Sequence, residues 1–148
     1  MTAKKFLNLD HARTEEQIKL MEKIKGDGVC PFCKEYFKKY HPKPIIKETD
    51  YWFFTENMSP YKGTKFHFII VYKPKHINKP HEIEPEAAKD LMTLVSWAAK
   101  KYKFKGGGFF MRFGDPRFNG SSVHHLHAQM LMGDFDEPNH EPVRVKLG

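Results

Sequence analysis

Residues 120–130 read Gly120-Ser121-Ser122-Val123-His124-His125-Leu126-His127-Ala128-Gln129-Met130. His125, His127 and Gln129 fall at alternate positions, with Leu126, Ala128 and Met130 filling in around them. Side chains alternate across a strand, so this spacing predicts three polar groups on one face and an apolar set packed beneath. On a helix the same residues would scatter around the girdle. Two imidazoles and an amide in register behind Gly-Ser-Ser are suited to handling phosphate. The competing interpretation is a surface strand that carries ordinary histidines.

Around this stretch the chain predicts further strands. Gly106-Gly107-Gly108 leads into a strand over residues 109–113, and a polar loop, 114–122, joins it to the histidine strand. Residues 51–57 and 65–72 are rich in aromatic and β-branched side chains, and the turn at 58–63 makes them an antiparallel hairpin. Residues 85–102 predict the longest helix: Pro85 suits a first turn, and Ala87, Leu91, Leu94, Val95, Ala98 and Tyr102 form one apolar stripe. That stripe reads as core. Thr14-Glu15-Glu16-Gln17 has the form of a capping box and opens a helix over residues 14–25, ended by Gly26-Asp27-Gly28. A short second helix is expected over 34–39, before Pro42 and Pro44. Helices and strands are segregated rather than alternating, which predicts an α+β domain on a mainly antiparallel sheet.

The chain has 148 residues, 40% of them hydrophobic, with thirteen Phe and six Tyr, enough for one domain with a substantial core. No apolar run reaches membrane-spanning length and the lysine-rich start lacks a hydrophobic leader, so a soluble, cytoplasmic protein without membrane contact is expected. A net charge of +7 favours anionic partners, but the lysines are dispersed. A small phosphate-bearing ligand therefore fits better than nucleic acid.

An imidazole can attack phosphorus and form a covalent intermediate that a second acceptor resolves. His127 sits centrally for that role, Gln129 offers an amide donor, and Gly120, Ser121 and Ser122 offer hydroxyls and backbone N–H groups. Cys30 and Cys33, in Cys-Pro-Phe-Cys, are the only cysteines, too close to staple a fold. Three readings stand for them: a dithiol redox pair, inert buried thiols, or half of a tetrahedral zinc site that needs two more ligands.

Together these residues resemble the histidine triad (HIT) superfamily, with its His-x-His-x-His signature. The likeness spans residues 29–133 and includes Ser59-Pro60, Pro74-Lys75-His76-Ile77 and the Gly-x-Ser-Val before the histidines. It implies a HIT-like α+β domain with a five-stranded sheet, bounded by an N-terminal helical extension (1–28) and a C-terminal tail (135–148). The tail, polar and with two prolines, is expected on the surface or on a partner subunit.

The resemblance implies that His127 takes up a nucleoside monophosphate from a small, usually adenine, nucleotide, that His125 supports the site, and that the protein is a homodimer. Asn57 matches the position that holds the ribose hydroxyls, and Ser122 the serine near the phosphate. Gln129 replaces the third histidine. His-x-His-x-Gln is similar to the branch containing galactose-1-phosphate uridylyltransferase and diadenosine tetraphosphate (Ap4A) phosphorylase, which pass the nucleotidyl group to a phosphate acceptor. Gln can donate a hydrogen bond but does not titrate. Ester or anhydride transfer therefore suits it better than amidate hydrolysis.

By the same resemblance Cys30, Cys33, His76 and His125 form a structural zinc site, with His41 as a competing fourth ligand. Arg112, Asp115 and Arg117 lie in the loop that borders substrate phosphates in the family. Trp52 and Phe54 are candidates for base stacking or core, while His67 reads as a surface or sheet-packing residue and His124 as a packing or edge residue. A different class stays open: a non-catalytic, zinc-containing nucleotide- or nucleic-acid-binding module.

Overall fold

Five strands, β1 (Ile45–Glu48), β2 (Trp52–Glu56), β3 (Thr64–Tyr72), β4 (Gly108–Arg112) and β5 (His127–Gly133), build the sheet of this computed structural model, which describes Leu7 and residues 14–148. Much of the 1–28 extension, and His11 within it, therefore lies outside the described residues. The strands are ordered β1-β2-β3-β5-β4, and every neighbouring pair is antiparallel.

Strand register sets what each face carries. Ile70 pairs with Ala128, Phe68 with Met130 and Arg112 with His127. Trp52, Phe54, Phe68, Ile70, Ala128 and Met130 point to one side and close a core with Ala87, Leu91, Leu94 and Ala98 of the helix α3 (Pro85–Lys101). The opposite side carries Phe53, Thr55, His67, Ile69, His127 and Gln129, all buried. Each Phe or Leu removed from water contributes about 1.5–3 kcal/mol, so α3 fixes the sheet and leaves its other face for chemistry.

Leu126, Ala128 and Met130 are in the core as the alternation predicts. The strand itself starts later than the pattern suggests, however. β5 opens at His127, and His125 precedes the ladder, where Leu126 N donates to Ile77 O (2.8 Å) and Leu126 O accepts from Tyr72 N (3.1 Å). Trp52 and Phe54 are fully buried under α3, with Trp52 Nε1 donating to Ala87 O at 2.9 Å, which removes both from any base-stacking role.

The edge strand β1 was not among the four strands read from the residues. It is four residues long, follows Pro44 directly and carries a register irregularity between Ile45 and Lys47, so it has almost no periodic signal. The helix expected over 34–39 shrinks to α2 (Phe37–Tyr40), because the Cys-x-x-Cys turn, with Tyr36 N and Phe37 N both donating to Cys33 O, takes the preceding residues.

Helix α1 (Glu15–Asp27) is capped by Thr14, whose Oγ1 accepts from Gln17 N at 3.0 Å, and stops at Gly28 with φ 72°. Met21 and Ile24 on its inner face pack with Leu7 and Tyr40. A final short helix, α4 (Pro116–Asn119), precedes the Gly120 turn. Among the described residues no helix is long and apolar enough to cross a membrane.

Candidate active site and metal cluster

The sheet face away from α3 forms the floor of a cavity of about 280 Å³, in which His127, Gln129, Asn57 and Arg112 meet residues 120–122. Helix α1 walls the other side through Met21, Ile24 and Gln17, so this helix, apart from the motifs in sequence, borders the site in space.

His127 Nδ1 lies 2.7 Å from the carbonyl oxygen of His125, and a carbonyl can only accept. Nδ1 therefore carries the proton, and Nε2 is left with its lone pair. Burial holds this imidazole well below its ordinary range, at about 4; the His125 carbonyl works against that shift, and the charges of His125, Arg112 and His67 add to it. The ring is thus a neutral base and nucleophile at physiological pH. Phe32, between the two cysteines, stands edge-on to it with ring centroids 4.9 Å apart.

Gln129 is oriented by a residue read from sequence as packing. Tyr61 N donates to His67 Nδ1 (3.0 Å), so His67 carries its proton on Nε2. That nitrogen lies 2.6 Å from Gln129 Oε1 and donates to it. The amide carbonyl is thereby occupied, and the NH2 group of Gln129 is the part left to donate. His67 is 4% exposed and reaches Gln129 from the neighbouring strand across 62 positions of sequence, a separation that no local spacing reveals. Asn57, whose Oδ1 accepts from Ser59 N at 2.7 Å, borders the same imidazole.

The Gly-Ser-Ser loop divides its work. Ser121 Oγ donates to Val123 O (2.8 Å) and Ser121 N to Asn119 Oδ1 (2.7 Å), which uses this serine to shape the turn. Ser122 and Gly120 border the cavity. Of the charged residues before the motif, Arg117 pairs with Asp115 at 2.6 Å on the exposed surface, whereas Arg112 is buried at the cavity.

Cys30, Cys33, His76 and His125 converge beside this site. Tetrahedral zinc with the usual bond lengths sets donor–donor edges of about 3.6 Å between sulfur and nitrogen and about 3.3 Å between two nitrogens. The corresponding separations are 3.4 Å (Cys30–His125), 3.5 Å (Cys33–His76), 3.7 Å (Cys33–His125) and 3.2 Å (His125–His76). His125 Nε2 donates to Tyr72 O at 2.6 Å, which leaves Nδ1 free to bind a metal. The Cys33 thiol is pushed down by hydrogen bonding from Cys30 and by the two facing imidazoles, while the same bond and burial push Cys30 up.

The donor set fits a closed four-coordinate ion. His41 is elsewhere: its Nε2 donates to Thr55 Oγ1 (3.1 Å) and its ring stacks on Phe37. It is not a ligand in this arrangement.

No family profile matches the sequence, and no curated protein does. Solved structures do resemble it. A HIT family hydrolase from Clostridium thermocellum is 24% identical with a TM-score of 0.54, over 70% of this chain and 90% of the other. A histidine triad nucleotide-binding protein from Candida albicans is 20% identical, TM-score 0.56, covering 74% of this chain and 81% of its own. A Zn-bound histidine triad family protein from Mycobacterium smegmatis is 15% identical, TM-score 0.51, over 72% and 76% of the two chains. This chain has the histidine triad fold.

Proposed function

We propose that the protein transfers a nucleotidyl group from a small, adenine-type nucleotide through a covalent intermediate on His127. The observation that carries this reading is the hydrogen bond from His127 Nδ1 to the His125 carbonyl, which makes Nε2 the unprotonated nitrogen in the cavity. The HIT family hydrolase and the nucleotide-binding protein among the similar structures support the same class of ligand.

In the first step Nε2 attacks phosphorus, the Nε2–P bond forms and the P–O bond to the leaving group breaks. The Gln129 NH2 and the Gly120–Ser122 turn donate to the non-bridging oxygens. In the second step an acceptor oxygen attacks phosphorus and the electron pair returns to Nε2. Gln129 supplies no proton, so acceptor and leaving group must need none from it. A phosphate acceptor meets that condition, and an Ap4A phosphorylase-like reaction is the reading we favour. Residues 29–134 form its catalytic domain, assembled as a homodimer.

Zinc on Cys30, Cys33, His76 and His125 would play a structural part. It would tie the loop before α2 to the connection after β3 and fix the residue whose carbonyl orients His127. The Zn-bound relative supports this assignment.

Turnover of Ap4A with and without inorganic phosphate tests the acceptor. The expected products with phosphate are ADP and ATP; AMP and ATP would establish water instead, and no turnover by either route contradicts the enzymatic reading. His67→Leu frees the Gln129 carbonyl and is expected to lower kcat by about 10²-fold, as loss of one aimed donor does, with KM changed little. An unchanged kcat in a folded His67→Leu chain removes His67 from the site.

A further inference from the structure

Residues after β5 return across the molecule to the cavity. Their backbone passes Gly63 and Gly120, both with positive φ (88° and 73°), and the approach leaves no room for a side chain. A Cβ on Gly63 would stand 2.8 Å from Glu141 O, and one on Gly120 2.9 Å from Lys146 O. The tail, exposed along most of its length, is therefore seated closely against these two glycines.

The seat adjoins the chemistry. Arg112, opposite His127 in the β4–β5 register, donates from Nη2 to Lys146 O (2.8 Å) and to Tyr61 OH (2.9 Å). The residue is 9% exposed, and its Nε has no hydrogen-bond partner among the described residues. A buried guanidinium with a donor unfilled is costly and points to an acceptor that is not part of the chain. Arg144 and Lys146, both exposed, are among the residues that line the same cavity.

Building on nucleotidyl transfer at His127, we propose that Arg112, Arg144 and Lys146 form a subsite for the phosphate group adjacent to the phosphorus under attack. In a double displacement through one covalent intermediate, the leaving group departs along the line by which the acceptor enters. One subsite therefore serves both. On the way in, the P–O bond breaks and its electron pair leaves on the adjacent phosphate held by the cations, which becomes the terminal phosphate of the departing nucleotide. On the way out, an oxygen of a phosphate dianion attacks, the Nε2–P bond breaks, and no proton changes hands. Three cations around one cavity match that charge, and a charge-assisted arginine contact is the stronger kind of hydrogen bond.

The subsite predicts where specificity lies. A substrate with an uncharged leaving group makes no use of it, whereas a polyphosphate or a free phosphate acceptor does. Tripolyphosphate binding, measured by calorimetry on the intact chain, is the direct probe. Arg144→Gln with Lys146→Gln is expected to weaken it at least about tenfold, while Lys100→Gln with Lys101→Gln, which removes the same charge at the end of α3, leaves it unchanged. Equal affinity in the two double variants, or no tripolyphosphate binding by the intact chain, overturns the subsite.

Two kinetic arms separate the sources of the phosphate. A fall in kcat/KM for Ap4A, with an AMP ester of an uncharged alcohol unaffected, assigns the leaving-group side. A raised KM for inorganic phosphate assigns the acceptor side, and no change in either overturns the proposal. The binding readout needs no turnover. Tripolyphosphate binding that depends on Arg144 and Lys146 in a chain forming no nucleotide adduct would sustain the subsite and refute the transfer reading.

Discussion

His127→Ala is expected to lower turnover of Ap4A by about 10⁵-fold, the scale on which loss of a covalent nucleophile is felt. The expectation rests on one hydrogen bond: with Nδ1 committed to the His125 carbonyl, Nε2 is the ring nitrogen with an open lone pair. His125 turns its own free nitrogen toward the cysteines, and the His67 ring is engaged at both nitrogens, so neither can take over. Circular dichroism and metal content should be unchanged, which separates lost chemistry from lost fold.

The same geometry predicts the pH profile. Burial favours the neutral ring, so Nε2 becomes protonated only near pH 4, and the acid limb of the single-turnover rate should fall there rather than near 6.5. A loss of less than about tenfold in His127→Ala would remove His127 from its role, since acid–base help alone is commonly worth about 10² or more.

Cys33→Ser is expected to abolish zinc binding, from one ion per chain to none, and to lower the thermal midpoint by about 10 °C. Structural zinc contributes directly to folding free energy, and in a chain of this length each kcal/mol moves the midpoint by roughly 2–4 °C. Much of the fold does not depend on the cluster, because α3 and the sheet have their own core. The loss should therefore be a destabilised protein rather than an unfolded one.

Activity should fall with the metal, because in the proposed assignment His125 supplies both a metal donor and the carbonyl that sets the His127 tautomer. Zinc requires both thiols deprotonated, and Cys30 is the one pushed up, so metal affinity should weaken as pH falls. Metal analysis with thermal denaturation of both chains checks this. A Cys33→Ser chain that keeps its zinc and its midpoint would exclude the cluster.

Part of the candidate site is legible in the sequence. Alternation at 125–130 predicted the polar and apolar faces because a strand has a period of two, and the stripe at 85–102 predicted α3 because burial on one side leaves a helical signature. Cys30 and Cys33 by themselves leave a redox pair, inert thiols and half a zinc site open, and the zinc ligand set, with His76 over His41, comes from resemblance.

What is illegible there shares a physical cause: each feature depends on contacts between elements that local spacing does not reveal. His67 orients Gln129 across two strands, Arg112 meets Lys146 across 34 residues, and α1 borders a cavity whose catalytic-strand residues lie about a hundred positions later. β1 is a short edge strand after a proline, where pairing with β2 rather than local pattern defines the element. Trp52 and Phe54 were ambiguous because an aromatic side chain suits a base as well as a core, and only the sheet face decides.

The central claim, a nucleotidyl group carried on His127, is tested most directly by trapping it. The intact chain mixed with Ap4A, quenched at alkaline pH and digested, should yield a peptide carrying adenylate on His127 Nε2, released by acid and by added phosphate and missing from His127→Ala. Turnover of Ap4A with no adenylate on His127 at any quench time, or with adenylate on another residue, would contradict the account.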